Sequence, residues 1–302
     1  MLNYLAMKNP HPRDGLLRFD KDAHVYTVDG EVYSSVTAFW PEFPVDLVAK
    51  RVIGSKRYGD SDYEYTGKSL EQIKAMWETW RDLGTEMHAA IELHLNRRQF
   101  FSDLACAHTE LQQFNNAVCR NESELLNTRT AAEPPFPLQF LREQGAQLFP
   151  DFGLADAVAA PREGLPPSVA PEREYYLEWL PEFLALQACT LYRTEWRIFH
   201  EDVQVAGTVD LVCRLSEDDA GGRPQVILVD WKRSKNFKKE QYTQQLNAYR
   251  YILEKKYGMV VRACFVLRFH PQEPCCRQND IELLSDAAIE TIFRERGPRG
   301  GG

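Results

Sequence analysis

The 302-residue chain is short of several things, and each shortage excludes a class of protein. It holds no run of about 18 apolar residues, the length a helix needs to cross a bilayer, so neither a membrane span nor a membrane partner is expected. Its opening Met-Leu-Asn-Tyr-Leu-Ala-Met-Lys-Asn-Pro has too short and too polar a core for a secretory signal, which leaves organelle import by another route open. A Gly-rich phosphate loop and a Gly-x-Ser-x-Gly are both missing, which leaves a sugar- or nucleotide-processing hydrolase little support. The seven cysteines, at 106, 119, 189, 213, 264, 275 and 276, include no C-x2-C pair. A zinc ribbon therefore lacks its ligands. The odd, irregular set reads as free thiols of an intracellular, reducing compartment, with nucleus, cytoplasm and organelle not resolved. A positive balance is also missing: 36 Lys and Arg are outnumbered by 44 Asp and Glu, and the net charge of −8 is the wrong sign for a simple nucleic-acid binder.

Totals hide distribution. Between Lys232 and Lys256 eight basic residues face two acids, Glu240 and Glu254, a local surplus of six. Such a stretch is either a solvated helix face or a phosphate-binding surface, with carboxylates elsewhere setting the global sign. The apolar and charged fractions, 44% and 26%, are those of a globular chain long enough for a substantial core.

Four segments follow from patterning. Residues 1–99 hold a hairpin, 18–37, turning at Asp29-Gly30, then a short helix over 44–53. A long helix over 69–96 opens with a Ser69/Gln72 capping box and carries Leu70, Ile73, Met76, Trp77, Trp80, Met87 and Ile91 at helical spacing. Residues 100–172 start as helix (101–126) and then become Pro- and Ala-rich, as in an irregular insertion. Residues 173–296 form the compact part. They comprise a helix over 173–189 that Pro181 breaks or restarts, strands over 194–200, 203–215, 225–231 and 260–269, and helices over 239–257 and 285–295. The tail 297–302, Gly-Pro-Arg-Gly-Gly-Gly, reads as disordered.

The chemistry concentrates on neighbouring strands. In Val-Asp230-Trp231-Lys232, alternation puts Asp230 and Lys232 on one face, with Trp231 on the other. In Gly207-Thr-Val-Asp210, strict alternation groups Val203, Val205, Val209, Leu211 and Cys213 opposite Thr208, Asp210 and Val212. Glu195 lies one strand earlier. Converging carboxylates repel unless a cation sits between them, and oxygen-rich sites select Mg²⁺ or Mn²⁺. Lys232 can then orient an attacking water or steady developing charge. His88 and Glu92 lie one helical turn apart, which suits a metal ligand whose other ring nitrogen Glu92 holds, or a Glu92 that approaches the site itself. Gln245 and Tyr249 share a side of the basic helix and either reach the site or are hydrogen-bonded interior residues. Trp77 and Trp80 read as core, with base stacking, and a phosphate contact from Arg81, as the alternative.

In this order the motifs resemble the PD-(D/E)xK nuclease superfamily, in particular its RecB-like and lambda-exonuclease-like branch. The matching pieces are Gly84-x3-His88-x3-Glu92, Glu195 in Tyr192-Arg-Thr-Glu-Trp, Gly207-Thr-Val-Asp210, Asp230-Trp-Lys232 and Tyr242-x2-Gln245-Leu-x2-Tyr249. The resemblance implies an α/β, restriction-endonuclease-like αβββαβ core with helical additions. It implies metal ligation by His88, Asp210, Asp230 and the Trp231 carbonyl, with Glu195, Lys232, Gln245 and Tyr249 completing the catalytic set. Arg81, Arg233, Ser234, Lys235, Lys238 and Lys239 are the expected DNA contacts, although Arg233 stands where many relatives carry Thr. Adjacent Cys275-Cys276 with no C-x2-C after it departs from relatives that hold an iron–sulphur cluster, so none is expected. The implied activity is Mg²⁺-dependent exonuclease cleavage of DNA ends or single strands in replication, repair or recombination. The alternatives are an endonuclease of a virus or mobile element, and a non-catalytic DNA-binding module. Homo-oligomerisation and replication or repair partners are compatible with this reading but are not encoded in any motif.

Overall fold

In the computed structural model, residues 3–21, 23–39, 44–120, 170–271 and 276–296 are described. The disordered tail expected at 297–302 and most of the expected insertion lie outside them. The core is one eight-stranded mixed sheet in the order β1-β2-β3-β5-β6-β7-β8, with β4 also paired to β5. The strands are β1 (Leu17–Asp20), β2 (Val25–Val28), β3 (Glu31–Ser35), β4 (Cys189–His200), β5 (Val205–Asp218), β6 (Pro224–Arg233), β7 (Val260–Phe269) and β8 (Cys276–Ile281). The helices are α1 (Tyr4–Lys8), α2 (Val45–Ile53), α3 (Leu70–Arg120), α4 (Ala170–Leu186), α5 (Lys239–Lys256) and α6 (Asp286–Arg296). This is the mixed α/β architecture expected of a restriction-endonuclease-like chain.

Local chemistry explains the turns. Asp29 and Gly30 both take positive φ, 50° and 87°, as a two-residue turn between right-twisted strands requires. Ser69 and Gln72 cap α3 reciprocally: the Ser69 N–H donates to Gln72 Oε1 at 2.7 Å and the Gln72 N–H to Ser69 Oγ at 3.3 Å. Gly258, at φ 67°, ends α5 by turning left-handed, a conformation that costs a residue with a Cβ.

Two apolar layers clasp the sheet. Leu246, Tyr249, Ile252 and Leu253 of α5 pack on Val205, Val209 and Val212 of β5, Val226 and Leu228 of β6, and Val266 of β7. On the opposite face Met87, Ile91 and Leu95 of α3, and Tyr176, Leu180 and Phe183 of α4, pack on Leu211, Cys213, Ile227, Val229 and Trp231. Each such side chain contributes on the order of 1.5–3 kcal/mol through removal from water.

Several expectations need correcting. The helix that opens at residue 70 does not stop at 96 but runs to Arg120, straight through the expected segment boundary. Pro181 lies inside α4 and neither starts nor ends it, because Tyr176, Leu180 and Phe183 anchor both halves in one cluster. β4 begins at Cys189, where a helix end was expected, and Val203 belongs to a helical turn before β5. β5 does not alternate strictly: Val209 and Val212 face α5, whereas Leu211 and Cys213 face α3 and α4. The switch falls at Asp210.

Candidate active site

The pairing of β5 with β6 closes at Leu211↔Val229. Beyond that point β5 stays with β4 as far as Val205, while β6 stays with β7 through Arg233↔Phe269. The two strands therefore part, and β3 rejoins the vacated edge of β5 only at Val205 and Ala206. Residues 207–210 line the resulting fork. Asp210 bridges its apex, where Oδ2 accepts the Trp231 N–H at 2.8 Å in place of the missing strand carbonyl.

Seven sequence-predicted residues meet here. His88, from α3, turns Nδ1 toward Asp210 Oδ2 at 3.6 Å and Glu195 Oε1 at 3.8 Å. Its Nε2 lies 3.1 Å from the Trp231 carbonyl. Ligand atoms of His88, Glu195 and Asp210 all fall within 4.8 Å of one another, a spacing one cation can span. On the other arm Asp230 is 2% exposed. Its Oδ2 pairs with Lys232 Nζ at 2.7 Å and its Oδ1 accepts from Gln245 Nε2 at 3.1 Å. Lys232 also lies over the Tyr242 ring, 5.6 Å from its centroid.

Tyr249 and Gln245 are buried, and Gln245 Nε2 reaches the Tyr249 hydroxyl at 3.3 Å as well as Asp230. The Tyr249 ring fits only because residue 207 is glycine. A Cβ there would fall 2.5 Å from a Tyr249 ring carbon. Gly207 thus makes room for the tyrosine that steadies the glutamine that holds Asp230.

The electrostatics are those of carboxylates crowded around His88 and Lys232. Burial raises the Asp210 carboxyl, His88 draws it down, and Glu195 raises it again. Asp230 is pushed up to about 6 by burial, against the pull of Lys232 and with the repulsion of Asp210. Burial disfavours charge on His88, but Asp210 and Glu195 more than offset it and raise the imidazole to about 9. Lys232, disfavoured by burial but flanked by Asp230 and Asp210, rises to about 12 and stays an ammonium. A divalent ion would satisfy the same acids that now hold a proton on His88. One imidazole nitrogen beside two carboxylates fits such an ion, which would be held by His88, Glu195 and Asp210.

Other predicted residues take different places. Asp230 is expected among the ligands but lies outside that trio, its oxygens engaged by Lys232 and Gln245. Glu92 does not hold the second nitrogen of His88. It accepts from Asn3 at 3.2 Å, and burial and Glu195 raise its carboxyl. Arg81 pairs with Glu78 and Asp82 on its own helix. Lys235 pairs with Glu64 and lies over Trp80 at 5.1 Å. Ser234 donates to the Asn236 carbonyl at 3.0 Å, and Arg233 is half-buried at the end of β6. Lys238 and Lys239 are exposed where α5 begins. Trp77 and Trp80 pack around Tyr65 and Ile73, as the helical stripe implies.

Sequence reading missed Asn3 and Asn96, which hold Thr194 beside Glu195. Asn3 carries the local signal of a helix N-cap, whereas Asn96, set among His94, Arg97, Arg98 and Gln99, carries none.

No curated protein matches the chain. Among solved structures it is similar to the protein SSO0001, with 15% identity over 51% of this chain and 68% of that one, at a TM-score of 0.26. It is also similar to a protein of Eubacterium rectale described as a candidate exonuclease, with 10% identity over 52% of this chain, at a TM-score of 0.29. The match spans 57% of the length of that second protein. A family model covers far more, residues 56–296, and so takes in both arms of the fork and the helix that brings His88. With that match, the chain belongs to the PD-(D/E)XK nuclease superfamily.

Proposed function

We propose that the fork hydrolyses phosphodiester bonds of DNA with the help of Mg²⁺ or Mn²⁺, working from a strand end or on single strands. The observation that carries this reading is the meeting of His88, Glu195 and Asp210 on one side of an Asp230–Lys232 pair. When bound, the divalent ion supplies Lewis acidity toward a phosphate oxygen and lowers the pKa of a bound water.

The chain's own residues do the rest. Asp210, fixed by the Trp231 N–H, and Glu195 offer oxygens to the ion, and His88 offers a ring nitrogen. Lys232, held as an ammonium, is a charge donor and not a base. It hydrogen-bonds an incoming water or an oxygen on which negative charge builds. Asp230 and Gln245 aim it. Exposed Lys238 and Lys239 extend positive charge from the fork's outer arm toward the phosphodiester backbone. The preference for ends follows from the resemblance of the His88-bearing helix to the exonuclease branch.

The test is digestion of 5′- and 3′-labelled single- and double-stranded oligonucleotides and a closed circle, with Mg²⁺, Mn²⁺ or EDTA. The expected result is loss of terminal nucleotides with either metal and none in EDTA. Cutting of the circle replaces the exonuclease reading with an endonuclease. Binding of DNA without cleavage under every metal leaves only a binding module.

A further inference from the structure

Glu195 is a strand residue in the wrong conformation: its φ is 45°, in the left-handed region. A non-glycine residue there costs on the order of 1 kcal/mol or more and persists only where its neighbours over-determine it. The ladder to β5 does not do so, because it passes over Glu195, matching Thr194 with Leu211 and Trp196 with Val209. The Thr194 carbonyl, which leads into Glu195, instead accepts the side-chain amide of Asn3 at 2.9 Å. The same amide lies 3.0 Å from the Thr194 hydroxyl and 3.2 Å from Glu92 Oε1. Asn96 donates to that hydroxyl at 2.9 Å and to the Glu92 carbonyl at 2.8 Å, and accepts the Leu5 N–H at 2.9 Å. The other end of Asn3 caps α1, its Oδ1 accepting the Ala6 N–H at 2.9 Å.

We propose that Asn3 is a positioning residue for Glu195: its amide pins the Thr194 peptide in the orientation that turns the Glu195 carboxylate toward His88 and Asp210. Affinity for the divalent ion then depends on a side chain outside the family-matched residues 56–296. This inference rests on the reading of the fork as a metal site. It also gives α1 a purpose. Lys8 pairs with Asp103 at 2.8 Å and the Arg193 guanidinium is 3.3 Å from the Ala6 carbonyl, so the short helix is tied down on either side of the asparagine.

The discriminating variant is Asn3→Ser. Serine still caps a helix, but its hydroxyl is too short to reach Thr194. Lys8→Ala serves as the control, since it loosens α1 through Asp103 without touching Thr194. Mn²⁺ is titrated into metal-free protein by calorimetry, beside thermal melts of the same samples. Loss of an outer partner of a metal ligand typically weakens binding by about tenfold or more. The expected result is that rise in Kd for Asn3→Ser, wild-type Kd for Lys8→Ala, and similar melting temperatures for the two variants. An unchanged Kd in Asn3→Ser, or an equal rise in both variants, overturns the assignment. Absence of Mn²⁺ binding by the wild-type protein, with Glu195→Ala no different, overturns the metal reading itself and takes this inference with it.

Discussion

Residues 211–218 and 205–210 belong to one strand, yet they live under opposite rules. The first half of that pair has β4 on one side and β6 on the other. Its side chains Leu211, Val212 and Cys213 are fully buried in the two apolar layers. The second half keeps β4 but loses β6, and over residues 207–210, Val209 apart, it trades bulky apolar packing for a glycine, a threonine and a buried carboxylate. The closed half lowers the free energy of the fold. The open half spends some of that stability on groups that repel one another. Substitutions in the two halves should therefore fail in different ways.

The largest effect is expected on the open side. Lys232→Ala removes the ammonium paired with Asp230 Oδ2 and should lower cleavage about 100- to 1,000-fold, as loss of one transition-state donor does. DNA binding in EDTA, followed by fluorescence anisotropy, should stay close to wild type. Cleavage near the wild-type rate would remove Lys232 from the chemistry. The closed side predicts the reverse. Leu228→Ala empties a fully buried site in the α5 layer and should cost about 2–5 kcal/mol in urea denaturation, with turnover per folded molecule retained. If turnover falls with stability, the two halves are not separable.

Gly207→Ala tests the packing within the open half. The added methyl meets the Tyr249 ring, so about 1–3 kcal/mol of stability should be lost through overpacking, and cleavage should fall as well because Gln245 shifts on Asp230. A variant as stable and active as wild type would show that the ring moves aside at no cost.

The smallest effect lies at the far end of the open half, where His200 ends β4. It is buried, its Nδ1 has no hydrogen-bond partner among the described residues, and burial and then Lys256 lower its pKa to about 4. In the unfolded chain it titrates near 6.5. The unfolded state thus binds the extra proton first, and the stability this provides is fully present above pH 6.5 and lost as pH falls toward 4. The drop should be on the order of 2 kcal/mol by linkage. His200→Leu should flatten it, and an unchanged slope in that variant would assign the pH dependence elsewhere.

What could be read in advance divides along the same line. Asp230 and Lys232 were legible because a strand's two-residue period puts both opposite Trp231, whereas Asp210 was legible from its Gly-Thr-Val-Asp motif on the neighbouring strand and not from an alternation that β5 breaks there. His88 was legible because α3 announces its register through Met87 and Ile91. The parting of β5 from β6 was not, since an apolar run looks the same whether or not a neighbour stays beside it. The left-handed turn at Glu195 leaves no trace either, because such turns are usually signalled by glycine or asparagine. Asn3 and Arg193 bond across nearly two hundred residues of sequence, where no local pattern reaches. Nor did the helical period say where α3 ends, since its stripe continues past residue 96 without a stop signal.

Trp231 has a consequence that reaches beyond any single variant. Its N–H is taken by Asp210 and its carbonyl meets His88, while its indole lies edge-on between Tyr176 and Trp179, 5.9 and 5.7 Å away. The main chain of one residue is thus the common wall of a polar chamber and an oily one. Substitution of Tyr176 or Trp179 should therefore reach both polar atoms at once, from the rear, with every reactive side chain left in place.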